Sequence, residues 1–163
     1  MKKYSSPILY ILCGLSFSGK TTYAKKLGEK LSIPIISEDT INAERGLGLQ
    51  GEHISDRKWE ETFQFLITKV QEKLKQGCSI IVDAMCHTQE QRASLRQIAR
   101  KNMAKSCLIY IQCSKVEARK RWEDNEKSSE RFRVHPDDFH RANTLFQHPT
   151  KKELALFDEV VIM

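Results

Sequence analysis

The sequence has no apolar run long enough to span a bilayer, no internal repeat, no low-complexity tract and no Pro/Gly-rich linker. Only four prolines and seven glycines occur in 163 residues, which excludes a collagen-like chain, and the ordinary share of apolar residues excludes disorder. Five cysteines (Cys13, Cys78, Cys86, Cys107 and Cys113) form an odd set with no CxxC pair and no finger spacing. That pattern speaks against a disulfide framework or structural zinc and fits a reduced, cytoplasmic chain. His53, His135, His140 and His148 show no metal-ligand spacing. The Asn-Lys-x-Asp element with which GTP-type switches read their base is missing too. Met1-Lys2-Lys3 followed by Pro7 to Leu12 has the outline of a secretory leader, but the run is short and lacks a small-residue cleavage site. It is expected to be a buried strand.

What is present suits one soluble domain over residues 1–163, with 40% hydrophobic and 29% charged residues. A chain of this length buries about two-thirds of its unfolded surface. Lys plus Arg number 27 against 21 Asp plus Glu, a formal net charge of +6. The balance favours a phosphate-bearing partner without establishing nucleic-acid binding. Five apolar runs stand out: Ile8 to Cys13, Ile33 to Ile36, Ser79 to Val82, Cys107 to Ile111 and Val160 to Ile162. They show little alternation, as parallel strands buried on both faces do. Helical periodicity covers Lys20 to Leu31, Trp59 to Leu74, Gln89 to Asn102, Lys115 to Asn125 and Pro136 to Phe146. Thr88 with Gln91 reads as a capping box and Ser114 as a second cap. Trp59, Phe63 and Leu66 fall on one apolar stripe and are expected in the core. This alternation of strands and helices predicts an α/β fold with a parallel sheet and helices on both faces.

The strongest motif is Gly14-Leu-Ser-Phe-Ser-Gly19-Lys20-Thr21, a full match to GxxxxGK[ST] between an expected strand and an expected helix. Gly14 and Gly19 let the backbone curl so that successive N–H groups point at phosphate oxygens. The helix start adds partial positive charge. Ser16, Ser18 and Thr22 join these residues as candidate nucleotide contacts. Lys20 is placed to bridge the terminal phosphates of ATP, and the Thr21 hydroxyl is a hard ligand for Mg²⁺.

Ligands of such sheets sit at the carboxyl ends of the strands, where Asp39 and Asp83 follow the second and third runs. One carboxylate can orient an acceptor hydroxyl and take its proton, and the other can hold Mg²⁺. Asp39 is the candidate base and Asp83 the candidate metal ligand. Beyond these, Arg121 to His135 mixes charges of both signs, as a solvated face would. It also suits a lid, about residues 121–135, made flexible by Ser128-Ser129, from which Arg121, Arg131 or Arg133 closes over the phosphates. His87 is expected on a surface loop, and Cys86 in packing.

In order, these residues resemble the small P-loop kinases grouped with the polynucleotide kinases, the predicted kinases of the AAA_33 type. The resemblance runs through Gly14 to Thr21, Ser37-Glu38-Asp39, Ile80 to Ala84 with Arg92, Arg121, Val134-His135-Pro136 and Phe146 to Pro149. It implies a P-loop NTPase three-layer sandwich with a five-stranded parallel sheet ordered 2-3-1-4-5 and a short helical lid. It also implies ATP·Mg²⁺-dependent phosphorylation of a hydroxyl with Asp39 as general base. Two departures point away from a polynucleotide 5′-hydroxyl: Asn42 stands where those kinases have an acceptor-gripping Arg, with Arg45 one turn on, and Asp83-Ala84-Met85 replaces Asp-Thr-Asn. A small-molecule acceptor is therefore the leading expectation, with the Gly-rich stretch Ile41 to Asp56 as its loop. A nucleic-acid or tRNA kinase and a non-catalytic ATP-binding switch or adaptor are the alternatives. No membrane association is expected.

Overall fold

A computed structural model describes residues 6–128 and 132–163. The apolar runs form one parallel sheet of β1 (Ile8–Cys13), β2 (Ile35–Ser37), β3 (Ile80–Asp83), β4 (Lys105–Tyr110) and β5 (Glu159–Ile162), ordered β2-β3-β1-β4-β5. The helices are α1 (Lys20–Leu31), α2 (Glu38–Glu44), α3 (Asp56–Lys75), α4 (Gln89–Lys101), α5 (Lys115–Ser128), α6 (Pro136–Leu145) and α7 (Lys151–Leu154). This is the P-loop NTPase sandwich with strand order 2-3-1-4-5. Among the described residues, no helix is long and apolar enough to cross a membrane.

Side-chain alternation sorts the core into two faces. Leu9, Ile11, Ile80, Val82 and Leu108 pack with Phe63, Leu66 and Val70 of α3 and Leu95 and Ile98 of α4. Leu12, Ile81, Cys107 and Ile109 pack on the other face with Ala24, Tyr23 and Leu27 of α1. Thr88 and Gln91 make the capping box that starts α4, and the Glu117 N–H donates to Ser114 Oγ at 3.1 Å at the start of α5. All five cysteines are free thiols.

Several boundaries differ from expectation. The second strand begins at Ile35 rather than Ile33, because Ser32 in the left-handed region turns the Ile33 N–H back onto the Gly28 carbonyl and Pro34 has no N–H to give. The fourth strand starts earlier, at Lys105. Parallel pairing is a backbone matter, and Asp158 holds both the Ser106 N–H (2.7 Å) and its hydroxyl (2.9 Å). The fifth strand is not buried on both faces: Val160, Val161 and Ile162 remain 37–52% exposed at the sheet edge. The opposite edge, β2, is also only partly covered. Finally, the stretch from Ile41 to Asp56 is not wholly loop, since α2, capped by Ser37, runs through Glu44.

Candidate active site at the carboxyl end of the sheet

The loop between β1 and α1 wraps the foot of a cleft of about 470 Å³, a volume suited to a small-molecule ligand. Gly14 is obligatory there: a Cβ would lie 2.5 Å from the Ile111 carbonyl oxygen and 2.9 Å from Ser18 Oγ. Gly19, at φ +106, caps α1 with no side-chain acceptor, leaving the first-turn amides to an outside anion. Ser18 Oγ is buried with no hydrogen-bond partner, an orphaned polar atom in the cradle itself. Buried Lys20 donates its Nζ to the carbonyls of Gly14 (3.0 Å) and Leu15 (2.7 Å). The cradle thus fits a phosphate group in shape and in donors.

The carboxylates gather beside it. Ser37 of β2 pairs in register with Asp83 of β3, so α2 opens next to the end of β3. Asp83 is buried, Asp39 sits exposed on the rim, and both line the cleft with Lys20 and Thr21. Thr21 and Asp83 supply hard oxygen donors of the kind Mg²⁺ takes. Glu38, between Ser37 and Asp39, is a site residue that sequence reasoning missed. Its Oε2 accepts the Met85 N–H at 3.2 Å. Burial pushes its carboxyl up to about 7, with the charges of Asp39 and Asp83 acting in the same direction.

Arg121 lies within α5 and reaches the cradle, donating Nη1 to the carbonyls of Phe17 (3.3 Å) and Ser18 (3.1 Å) and Nη2 to Glu117. Arg133 lines the cleft. Arg131 and Ser129 lie outside the described residues. Of the remaining nucleotide candidates, Ser16, Ser18 and Gly19 line the cleft, whereas Thr22 is exposed and outside its lining. The Ser16 N–H is bound by Asn143 Oδ1 of α6 at 3.0 Å, a contact no spacing announces.

The far wall comes from scattered elements. Asn42 and Arg45 of the α2 region meet α3: Thr62 Oγ1 donates to Asn42 Oδ1 at 2.5 Å, and Arg45 donates to Thr62 Oγ1 (2.5 Å), the Lys58 carbonyl (2.9 Å) and Glu61 (2.6 Å). Trp59 is half-buried and faces the cleft beside Phe63 instead of joining the core. His87 is no surface histidine either. It lines the cleft, and burial, helped by Arg141 and Arg92, lowers its pKa to about 4. Arg92, fully buried, makes a bidentate pair with Glu153 of α7 (2.6 and 2.9 Å) and donates to the Cys86 carbonyl at 2.8 Å. Burial holds the Cys86 thiol well above its ordinary range, as a packing role requires. His53 and His135 meet at 5.6 Å between ring centroids, near Asp137. Their Nδ1 atoms already face Asp138 Oδ1 (2.9 Å) and the Asp137 N–H (3.2 Å).

The AAA_33 family model, described as an AAA domain, matches residues 9–149. No curated protein matches the sequence. Among solved structures the chain is similar to Chaetomium thermophilum Kti12 in complex with ADP and AlF3, at a TM-score of 0.77 and 18% identity, over 95% of this chain and 88% of that one. It is similar to the Mycobacterium tuberculosis APS kinase in complex with AMPPNP and APS, at TM-score 0.68 and 16% identity, over 96% and 88%. A Sinorhizobium meliloti gluconokinase aligns at TM-score 0.64 and 14% identity, over 96% and 82%. These likenesses establish a shared fold.

Proposed function

The chain belongs to the AAA_33 family, and from that premise we propose that it is an ATP-dependent kinase that phosphorylates a hydroxyl of a small acceptor. The observation that carries the reading is the convergence of Lys20, Thr21, Asp39 and Asp83 on one cleft above the phosphate cradle. The relatives described as kinases, one bound to AMPPNP and APS, support the same direction.

In this reading the cradle amides and the start of α1 hold the β- and γ-phosphates, and Lys20 turns from its loop carbonyls to the terminal phosphates. Thr21 and Asp83 hold Mg²⁺, which when bound supplies neutralising charge at the phosphates. Asp39 orients the acceptor hydroxyl. As the acceptor oxygen bonds to the γ-phosphorus, the bond to the bridging oxygen breaks, ADP leaves, and the hydroxyl proton passes to Asp39. An ordinary carboxylate suffices as base, because the loose transition state depends on positioning more than on proton removal. Arg121, already over the cradle, compensates charge on the transferred group.

The test is ADP release from ATP across a panel of hydroxyl acceptors. Acceptor-stimulated release is expected, and Asp39→Asn should abolish transfer while ATP still binds. Full activity in that variant removes Asp39 as base. Release that no acceptor stimulates, together with nucleotide-dependent partner binding, favours a switch instead.

A further inference from the structure

His53 stands in the loop between α2 and α3, and His135 caps the start of α6, far away in sequence. The fold brings the two rings to 5.6 Å between centroids. His53, His135 and Asp137 each place one nitrogen or carboxylate oxygen within 4.8 Å of the other two. A tetrahedral Zn²⁺ with bonds of about 2.0–2.1 Å sets its ligands about 3.4 Å apart, so small side-chain rotations close the remaining gap. All three side chains are open to solvent, which gives an ion its way in.

Asp138 is a second, independent sign. Only 6% exposed, it accepts the Ile54 N–H on Oδ2 at 3.0 Å. Its Oδ1 is buried, has no hydrogen bond, and lies 2.9 Å from His53 Nδ1. A buried carboxylate oxygen is costly to leave without a hydrogen bond. Ligation resolves that cost: an ion on one nitrogen of His53 makes the other a better donor to Asp138, the carboxylate–histidine–metal arrangement. The backbone is already set for such a site. Ile54 is tied to Asp138, and Gly51 packs so closely on the facing segment that a Cβ would lie 2.9 Å from Arg133 Cβ. The bond an ion would displace is the helix cap, in which His135 Nδ1 accepts the Asp137 N–H at 3.2 Å. That amide belongs to the first turn, where water can take the place of a cap. Two imidazoles and a carboxylate suit Zn²⁺ better than Mg²⁺, which takes oxygen ligands in near-ideal octahedra.

We propose that His53, His135 and Asp137 bind Zn²⁺, with Asp138 orienting His53, and that the ion clasps the loop before α3 to the start of α6 beside the cleft. No step of the phosphoryl transfer above involves these residues. The tag-free full chain is titrated with Zn²⁺ by calorimetry in excess Mg²⁺, which fills hard oxygen sites such as Thr21 with Asp83. A single Zn²⁺ should bind, and His53→Gln and His135→Gln should each abolish binding. Asp138→Asn should weaken it about 10–100-fold, as loss of an outer carboxylate does. His140→Gln, at an exposed histidine outside the cluster, should change nothing. Co²⁺ in place of Zn²⁺ should show visible ligand-field bands without a thiolate charge-transfer band, and Zn²⁺ should slow hydrogen exchange at the Ile54 amide. His53 lies on an exposed loop, so His53→Gln tests the site even where His135→Gln or Asp138→Asn loosens α6. No binding in excess Mg²⁺, binding that survives His53→Gln, or a thiolate band overturns the Zn²⁺ site. Unchanged exchange at Ile54 on Zn²⁺ binding overturns the clasp, and wild-type affinity in a folded Asp138→Asn overturns the orienting role of Asp138.

Discussion

The two walls of the cleft are built in opposite ways. The phosphate wall is one uninterrupted stretch, Gly14 to Thr21, curled by its own glycines between a buried strand and the helix that follows and braced from outside by Asn143, Arg121 and Phe139. The acceptor wall gathers Asn42, Trp59, His87, Glu90 and Arg141 from four helices and the loop after β3. The first does one thing for which the chemistry is fixed, so its residue types are fixed in sequence. The second exists only once the sheet has brought distant elements together, and its character is a matter of net charge and of which ion pairs are already closed.

The contrast can be broken from either side. The largest effect is expected at the local wall: Lys20→Ala should lower transfer about 10³-fold, as the loss of a preorganised charge at the phosphates does. Single-turnover transfer measures it, and a loss of less than about tenfold would show that Lys20 carries no such charge at the phosphates. Next comes the clamp beneath the distributed wall. Arg92→Met strands Glu153 in the interior and should cost about 3–5 kcal/mol of stability in urea unfolding. Adding Glu153→Leu should restore most of it, and an additive double variant would contradict that account. The smallest effect is a pH dependence. Because the Glu38 carboxyl titrates near 7 when folded and near its lower ordinary value when unfolded, the unfolded chain holds fewer protons between those values. Stability therefore falls as pH rises through this window and stays reduced above it. Relative to the wild type, Glu38→Gln should gain melting temperature between pH 5 and pH 8; a pH-independent difference between the two proteins would show that Glu38 carries no such penalty.

The same contrast explains what could be read before folding. The parallel α/β class, the cradle, the capping box at Thr88 and the placing of Asp39 and Asp83 at one end of the sheet follow from short-range signals, namely periodicity, glycine placement and the ends of apolar runs, whereas the strand order was implied by the family resemblance alone. Glu38 was invisible because its partner, the Met85 N–H, comes from the loop after the neighbouring strand. Trp59 lies on an apolar stripe, and spacing alone does not tell that the stripe's first ring faces a cleft. Asn143 reaches the Ser16 amide from the opposite end of the chain. The misjudged exposure of β5 has a related cause: an apolar run reads alike in the middle of a sheet and at its edge, and only pairing tells them apart.

One small cluster carries a broader consequence. Phe17, in the middle of the cradle, holds a left-handed backbone at φ +63, a conformation that disfavours a bulky residue. Its ring rests edge-on against Phe139, which stacks on Trp122 at 4.7 Å, and Trp122 in turn donates to the Val134 carbonyl at 3.0 Å. The curl of the phosphate loop therefore leans on rings that α5 and α6 contribute much later in the chain. The motif is not portable: grafted into another scaffold without that aromatic ledge, the same eight letters would spell a looser turn.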